Sequence, residues 1–259
     1  MPDFETLTFD QSGSITSIVL NRPDAANGMN DAMTRELSIA AALCDTAATK
    51  VVTLTGAGRF FSAGGDLRAM AAAPDAGTFV KGMADDLHRA LSTFARMDAV
   101  LITAVNGTAA GAGFSVAVTG DLVLCADSAK FTMAYTKAGL SPDGSSSYYL
   151  PRLIGIRRTQ ELMLTNRTLS AAEALDWGLV TEVVPGAELA ARTEALAQAM
   201  ASTARPSNSA VKKLLLATYR SGIEEQMELE GRLIAECARS ADGAEGIAAF
   251  LGKRKPEFS

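Results

Sequence analysis

Two short glycine-rich turns are the first places in this chain where chemistry could sit. One is Ser62-Ala63-Gly64-Gly65-Asp66, and the other covers 107–113, Gly-Thr-Ala-Ala-Gly-Ala-Gly. Each follows a strand-like run, and the second opens a small-residue helix. Small side chains let a ligand approach the backbone, and free N–H groups at such a turn favour negative charge. Tight helix–sheet packing accounts for either turn alone. The two together favour an anion or oxyanion site. Two side chains join them as candidates. His88 is the sole histidine of the chain. It lies about 90° from the centre of its predicted helix's apolar face, a boundary position that suits a surface residue with one hydrogen bond. Asp143 stands in Ser141-Pro142-Asp143-Gly144. That is a turn sequence ahead of a predicted helix, so turn and cap propensities account for the aspartate without catalysis.

Other chemistries lack their residues. Gly107, Gly111 and Gly113 do not have the order of a dinucleotide fingerprint, although Asp127 follows Gly107 by 20 residues. There is no phosphate-binding glycine loop ending in Gly-Lys-Ser/Thr and no Gly-x-Ser-x-Gly elbow. One histidine excludes a histidine-rich metal site, so no metal is expected. Cys44, Cys125 and Cys237 are scattered and odd in number, against a disulfide framework. The chain carries 24 Lys and Arg against 29 Asp and Glu, a net charge of −5, which argues against nucleic acid as a partner. A polyanionic ligand has to be held by a few placed cations and by backbone N–H groups. No apolar run approaches the length of a membrane span, and the acidic N-terminus has no signal-peptide pattern, so the expected location is cytoplasmic, away from membranes.

These turns need a scaffold, and the sequence predicts an α/β one. Phe4, Leu7 and Phe9 alternate, as do Ile15, Ile18 and Leu20, about a turn at Gly13. That pattern predicts a hairpin. A helix over 31–48 is expected with Asp31 as its cap, then a strand over 50–55. A helix over 78–97 carries Val80, Met83, Leu87, Leu91 and Phe94 on one face. Strands follow over 100–105 and 121–126. Beyond Gly139 the pattern predicts helices over 148–154, 158–164, 171–177, 189–201, 207–220 and 222–238, with one strand over 179–184. Strands separated by helices imply crossover connections and layers. Residues 1–195 read as an α/β core and 196–259 as a helical extension.

Ordered segments make the pattern more specific. NRPDAANGMN, VVTLTGAGRFFSAGGDL, AVNGTAAGAGFSVAVTGDLVLCADSAKF, GLSPDGSSSYYLPRLIG, LTNRTLSAAEALDWGLVTEVV and AAFLGKRKPEF together resemble the enoyl-CoA hydratase/isomerase family, the crotonase superfamily. The resemblance covers nearly the whole chain. It implies a crotonase-like spiral of ββα units with a C-terminal helical trimerisation region. The implied assembly is a homotrimer or a dimer of trimers, and Leu214, Leu215, Leu216, Ile223 and Met227 would be exposed in a lone subunit. The implied ligand is an acyl-CoA thioester, whose coenzyme A is part of the substrate, with no separate cofactor. The family polarises the thioester carbonyl with two backbone N–H groups, and the motifs put these at Gly65 and Ala112, the latter in place of a usual glycine. The coenzyme A would run past Arg22, Ala63, Asp66, Leu67 and Arg68. Phe250 and Lys253 match residues that close over it from a neighbouring subunit, while Ala26 stands where a basic contact is often found.

The departures from the family narrow the chemistry. Ser115 and Tyr135 occupy the positions of the two glutamates of similar hydratases, so the resemblance does not support two-glutamate water addition. Asp143 matches an acid/base aspartate of some isomerases, including those of phenylacetate breakdown, and also the nucleophile of 4-chlorobenzoyl-CoA dehalogenases. His88 falls at the histidine base of the latter, and Tyr135 at a tryptophan. The leading expectation is therefore double-bond isomerisation by Asp143 through a thioester enolate. The alternatives are an aryl-CoA dehalogenase or hydrolase, with Asp143 as nucleophile and His88 as base, and an acyl-CoA binding protein without catalysis.

Overall fold

Strands that bury nearly every side chain must lie between two layers. Val51–Gly56 (β3) and Val100–Val105 (β5) are such strands in the computed structural model, which describes residues 3–259. They form the middle of a six-stranded sheet. Leu7–Ser12 (β1) and Ile15–Leu20 (β2) make the expected antiparallel hairpin, with Leu7 opposite Leu20. From β2 on, the sheet is parallel, through β3 and β5 to Leu122–Ala126 (β7) and Glu182–Val184 (β10). The last strand is shorter than the predicted 179–184.

A second, four-stranded sheet consists of Phe60–Ser62 (β4), Thr108–Ala110 (β6), Lys130–Thr132 (β8) and Leu169–Ser170 (β9). Three of the core strands are each followed by one of these short strands and then by helix. β3 and β4 lead to Leu67–Ala72 (α2) and Ala76–Arg96 (α3). β5 and β6 lead to Ala112–Ala117 (α4), and β7 and β8 to Ser146–Thr165 (α5). This repeat is the spiral of ββα units. Both glycine-rich turns border the second sheet, which is why that sheet positions the site.

The helices follow their caps. Asn30, not Asp31, caps Asp31–Cys44 (α1), its side chain accepting from the Met33 N–H at 3.0 Å. Asp31 is the first helical residue. Asp75 caps α3 through the Gly77 and Thr78 N–H groups. Met83, Leu87, Leu91 and Phe94 form the buried face of α3 and pack along α1. The two helices predicted over 148–164 are consecutive parts of α5, broken where Gly155 leaves helical geometry. After Ala171–Asp176 (α6), Leu189–Ala201 (α7) packs on β3, β5 and β7, so residue 195 lies inside a core-packed helix.

Arg205–Ala217 (α8), Ile223–Arg239 (α9) and Ala241–Leu251 (α10) form the helical C-terminal region. The first of these is tied to the core by Arg205, Ser209 and Lys213, which reach Asp98, and by a buried cation, Lys212. Lys212 Nζ donates to the carbonyls of Phe94 (2.9 Å) and Ala99 (2.7 Å) and pairs with Asp121 Oδ2 at 2.8 Å. Burial pushes the Asp121 carboxyl up, and the Lys212 charge opposes that shift. In contrast, α9 buries none of its residues. Leu215, Ile223 and Met227 are exposed as expected, but Leu214 and Leu216 are half-buried. Among the described residues, no helix is long and apolar enough to cross a membrane.

Candidate active site

Gly65 and Met29 form a parallel bridge between their loops. The Met29 N–H donates to Gly64 O at 2.7 Å, and the Asp66 N–H donates to Met29 O at 2.8 Å. A residue bridged through its two neighbours turns its own N–H to the other side. The Gly65 N–H is left with no protein acceptor among the described residues. Ala112 opens α4, where a first-turn N–H has no intrahelical partner, and it too has no protein acceptor. The two loops touch through Gly64. Its φ of +92° is a left-handed value, and a Cβ there would stand 2.6 Å from Ala110 O and 3.2 Å from Ala112 N. Only glycine satisfies both conditions.

Both residues line a cavity of 340 Å³. Most of its wall is apolar, from side chains such as Met29, Met70, Met83, Leu87 and Leu140. Asp143 is the only carboxylate in that wall among the described residues, and Tyr135 lies beside it. The Tyr135 hydroxyl donates to Asp143 Oδ1 at 2.7 Å. Burial, and then the Asp143 charge, push the Tyr135 pKa up, so the phenol keeps its proton and remains a donor. Ser115 is fully buried and donates to the Asp143 carbonyl at 2.9 Å, with its oxygen 3.0 Å from the Tyr135 hydroxyl. Gly144 makes this packing possible: it has a φ of +60°, and a Cβ there would come within 2.8 Å of Ser115 Cβ.

Thus Ser115, Tyr135 and Asp143 are brought together in one hydrogen-bonded unit. His88 reaches the same unit from behind. Its Nε2 accepts from the Gly144 N–H at 3.3 Å and is 3.7 Å from Asp143 Oδ2. The longer distance is not a hydrogen bond. Accepting from Gly144 assigns a lone pair to Nε2, and so the neutral ring's proton to Nδ1. His88 does not line the cavity that holds Asp143. It lines a second cavity.

The expected nucleotide-side residues divide. Arg22 pairs with Asp66 Oδ2 at 3.1 Å and also donates to the Gly28 carbonyl. Asp66 in turn caps α2 through the Arg68 and Ala69 N–H groups. Burial works to raise the Asp66 carboxyl, yet the Ala69 N–H and the Arg22 guanidinium hold it below its usual value. Ala63 and Leu67 are exposed and line the cavity; Arg68 is exposed and does not. Phe250 and Lys253 are exposed at the end of α10 and line no part of the cavity within one chain.

Sequence reasoning missed Asn27 as a positioning residue. It is fully buried. Its side chain accepts from the Arg22 N–H at 2.9 Å and donates to the carbonyls of Ala57 (2.9 Å) and Phe60 (2.8 Å). Its carbonyl accepts from Ser62 Oγ at 2.8 Å. It thereby locks the first glycine turn to the Arg22 loop. Lys81, at the cavity wall and paired with Asp85, was also missed.

Comparisons agree with this architecture. The family model described as Enoyl-CoA hydratase/isomerase matches residues 10–259. The chain is 37% identical over 251 residues to a 1,2-epoxyphenylacetyl-CoA isomerase of Escherichia coli K12, covering 95% of each chain. It is 35% identical over 260 residues to a carnitinyl-CoA dehydratase of Escherichia coli O157:H7, covering 97% of each. The crystal structure of an enoyl-CoA hydratase from Bacillus anthracis superposes with a TM-score of 0.92 at 29% identity, over 98% of this chain and 99% of that one. A family match over residues 10–259, relatives above 30% identity and a shared fold lead to one conclusion: the chain belongs to the enoyl-CoA hydratase/isomerase family.

Proposed function

We propose that this family enzyme is an acyl-CoA isomerase that moves a carbon–carbon double bond through a thioester enolate. The observation that carries the reading is the composition of the cavity wall. Among the described residues, it holds the Gly65 and Ala112 backbone N–H groups, both without protein acceptors, and a single carboxylate, Asp143. Removing a proton next to a thioester puts negative charge on the carbonyl oxygen. Donors at Gly65 and Ala112 stabilise that charge by about 3 kcal/mol each in a water-poor site. The alanine at 112 keeps its N–H, so the exchange for glycine leaves the donor in place. Asp143 takes the proton from one carbon and returns it at another, and a single carboxylate suffices for that shuttle. Tyr135 holds Oδ1, which leaves Oδ2 for the proton. With Ser115 and Tyr135 lacking carboxylates, the cavity wall holds no second carboxylate among the described residues to pair with Asp143 in adding water. The relative named for isomerising an epoxyphenylacetyl-CoA supports isomerisation of an acyl-CoA ester as the reaction class, and the apolar wall suits an acyl group without charge.

The coenzyme A is taken to run past Arg22, Ala63, Asp66, Leu67 and Arg68 at the cavity mouth. Phe250 and Lys253 would reach it from a second subunit of a trimer or a dimer of trimers, whose assembly would cover Leu215, Ile223 and Met227. A cytoplasmic location fits an acyl-CoA substrate. A second reading rests on the 3.7 Å separation of His88 and Asp143. In it, Asp143 attacks an aryl carbon and His88 activates water for hydrolysis.

Product analysis on a panel of 3-enoyl-, 2-enoyl- and 4-halobenzoyl-CoA esters separates these. Isomerisation yields a 2-enoyl ester of unchanged mass. A product heavier by one water from the 2-enoyl ester overturns the proposal in favour of hydration. Halide release with solvent oxygen in the product supports the second reading. Binding without turnover of any ester supports a non-catalytic role.

A further inference from the structure

His88 stands between two cavities. Asp143 faces the apolar one of 340 Å³, and the His88 ring lines the other, of 580 Å³. The second cavity has a different character. Arg96, Ser145, Tyr148, Tyr149, Lys213 and Arg220 are among its walls, and among the described residues no carboxylate is. The His88 side chain is 49% exposed, and no protein group bonds its Nδ1 among the described residues. Around the ring, Asp85 and Arg89 share its helix, Asp143 lies across from it, and Arg96, Lys213 and Arg220 line the second cavity with it.

In the first cavity, the titratable side chains are Lys81, Tyr135 and Asp143. Lys81 is exposed and held by Asp85 at 2.5 Å. Tyr135 already donates its one proton to Oδ1. Once an acyl chain fills the apolar cavity, a proton on Asp143 Oδ2 has one basic atom nearby outside the substrate, and that is His88 Nε2. About 1 Å of side-chain movement closes the gap to hydrogen-bond length, the Nε2 lone pair exchanging its long 3.3 Å contact with the Gly144 N–H for Oδ2.

We propose that His88 is a proton relay that connects Asp143 to solvent in the second cavity, so that the proton Asp143 removes exchanges with water during turnover. The inference rests on the role of Asp143 proposed above. The substrate C–H bond breaks, the Asp143 Oδ2–H bond forms, and the electron pair goes to the thioester oxygen. The Oδ2–H bond then breaks as Nε2–H forms, and the resulting imidazolium releases its Nδ1 proton to water. Reversal brings a solvent proton to Oδ2 and then to the enolate. His88 touches no reacting atom of the substrate. It acts through Asp143, and its signature is the origin of the transferred proton rather than the rate alone.

The test follows proton exchange in D2O by NMR and mass spectrometry on two esters. Butyryl-CoA reports α-proton exchange and needs only enolisation. A 3-enoyl-CoA reports isomerisation with or without solvent deuterium. The expected result is α-exchange of butyryl-CoA by the wild type, lost in Asp143→Asn. His88→Ala should lower that exchange at least tenfold and cut deuterium in the isomerised product several-fold, with isomerisation reduced far less. Free imidazole should restore exchange to His88→Ala and should do nothing for Asp143→Asn. His88→Gln, which fills more of the space, is the second variant should His88→Ala fold poorly. Wild type without α-exchange, or His88 variants that incorporate deuterium as the wild type does, would overturn the relay. Absence of isomerisation beside His88-dependent α-exchange would contradict the isomerase reading and leave the relay standing.

Discussion

The two parts of the cavity wall are built by different means. The Gly65 and Ala112 part is made of backbone. Its geometry comes from the bridge to Met29, the start of α4 and the contact of two loops at Gly64. The Asp143 part is made of side chains, with Tyr135 and Ser115 holding a carboxylate and its carbonyl. A backbone site tolerates changes of side chain as long as the loops keep their approach, which is why an alanine can stand at 112. A side-chain site changes its chemistry with each substitution. One fold can therefore keep its carbonyl-binding part while the reaction changes at the other.

The largest expected effect is at the side-chain part. Asp143→Asn keeps the shape and removes the base. Turnover should fall by on the order of 10³ or more, with acyl-CoA affinity by calorimetry within a few fold. Near-normal turnover would remove Asp143 from the mechanism.

Next is Gly64→Ala, which attacks the backbone part without touching a donor. The new Cβ would meet Ala110 O at 2.6 Å in a left-handed conformation. The loops must separate, and kcat should fall about 10²–10³-fold, the cost of losing an oxyanion donor. Circular dichroism should show a folded protein.

The legible parts of the molecule were those with long-range periodicity or several residues acting together. The hairpin, α3 and β5 alternate or repeat over enough residues to be read directly. The second sheet was invisible because its strands are only two or three residues long, too short for any alternation. Asn30 took the cap expected of Asp31 because both residue types cap well and only backbone geometry separates them. The glycine turns were legible as pieces, but the bridge that turns the Gly65 N–H outward pairs loops 36 positions apart. Likewise the side of Asp143 on which His88 lies follows from how α3 packs, and no local pattern carries it.

Tyr135→Phe sharpens the comparison at a smaller scale. It removes one hydrogen bond to a charged acceptor and leaves both donors intact. A bond of that kind is worth about 1.5–3 kcal/mol, so kcat should drop roughly 10- to 100-fold with KM little changed. The smallest effect belongs to Gly65→Ala, one residue from the most damaging backbone change. Its added methyl meets only the flexible end of Met70, and the N–H stays. Turnover within about threefold of wild type is expected, and a hundredfold loss would mean that the Gly65 backbone is held differently.

The division of labour is tested most directly by a crystal structure of Asp143→Asn with an unsaturated acyl-CoA bound. The thioester oxygen should lie about 2.7–3.1 Å from both the Gly65 and Ala112 nitrogens, with the α or γ carbon against the substituted side chain at 143. An oxygen bound elsewhere, or acyl carbons remote from position 143, would contradict it.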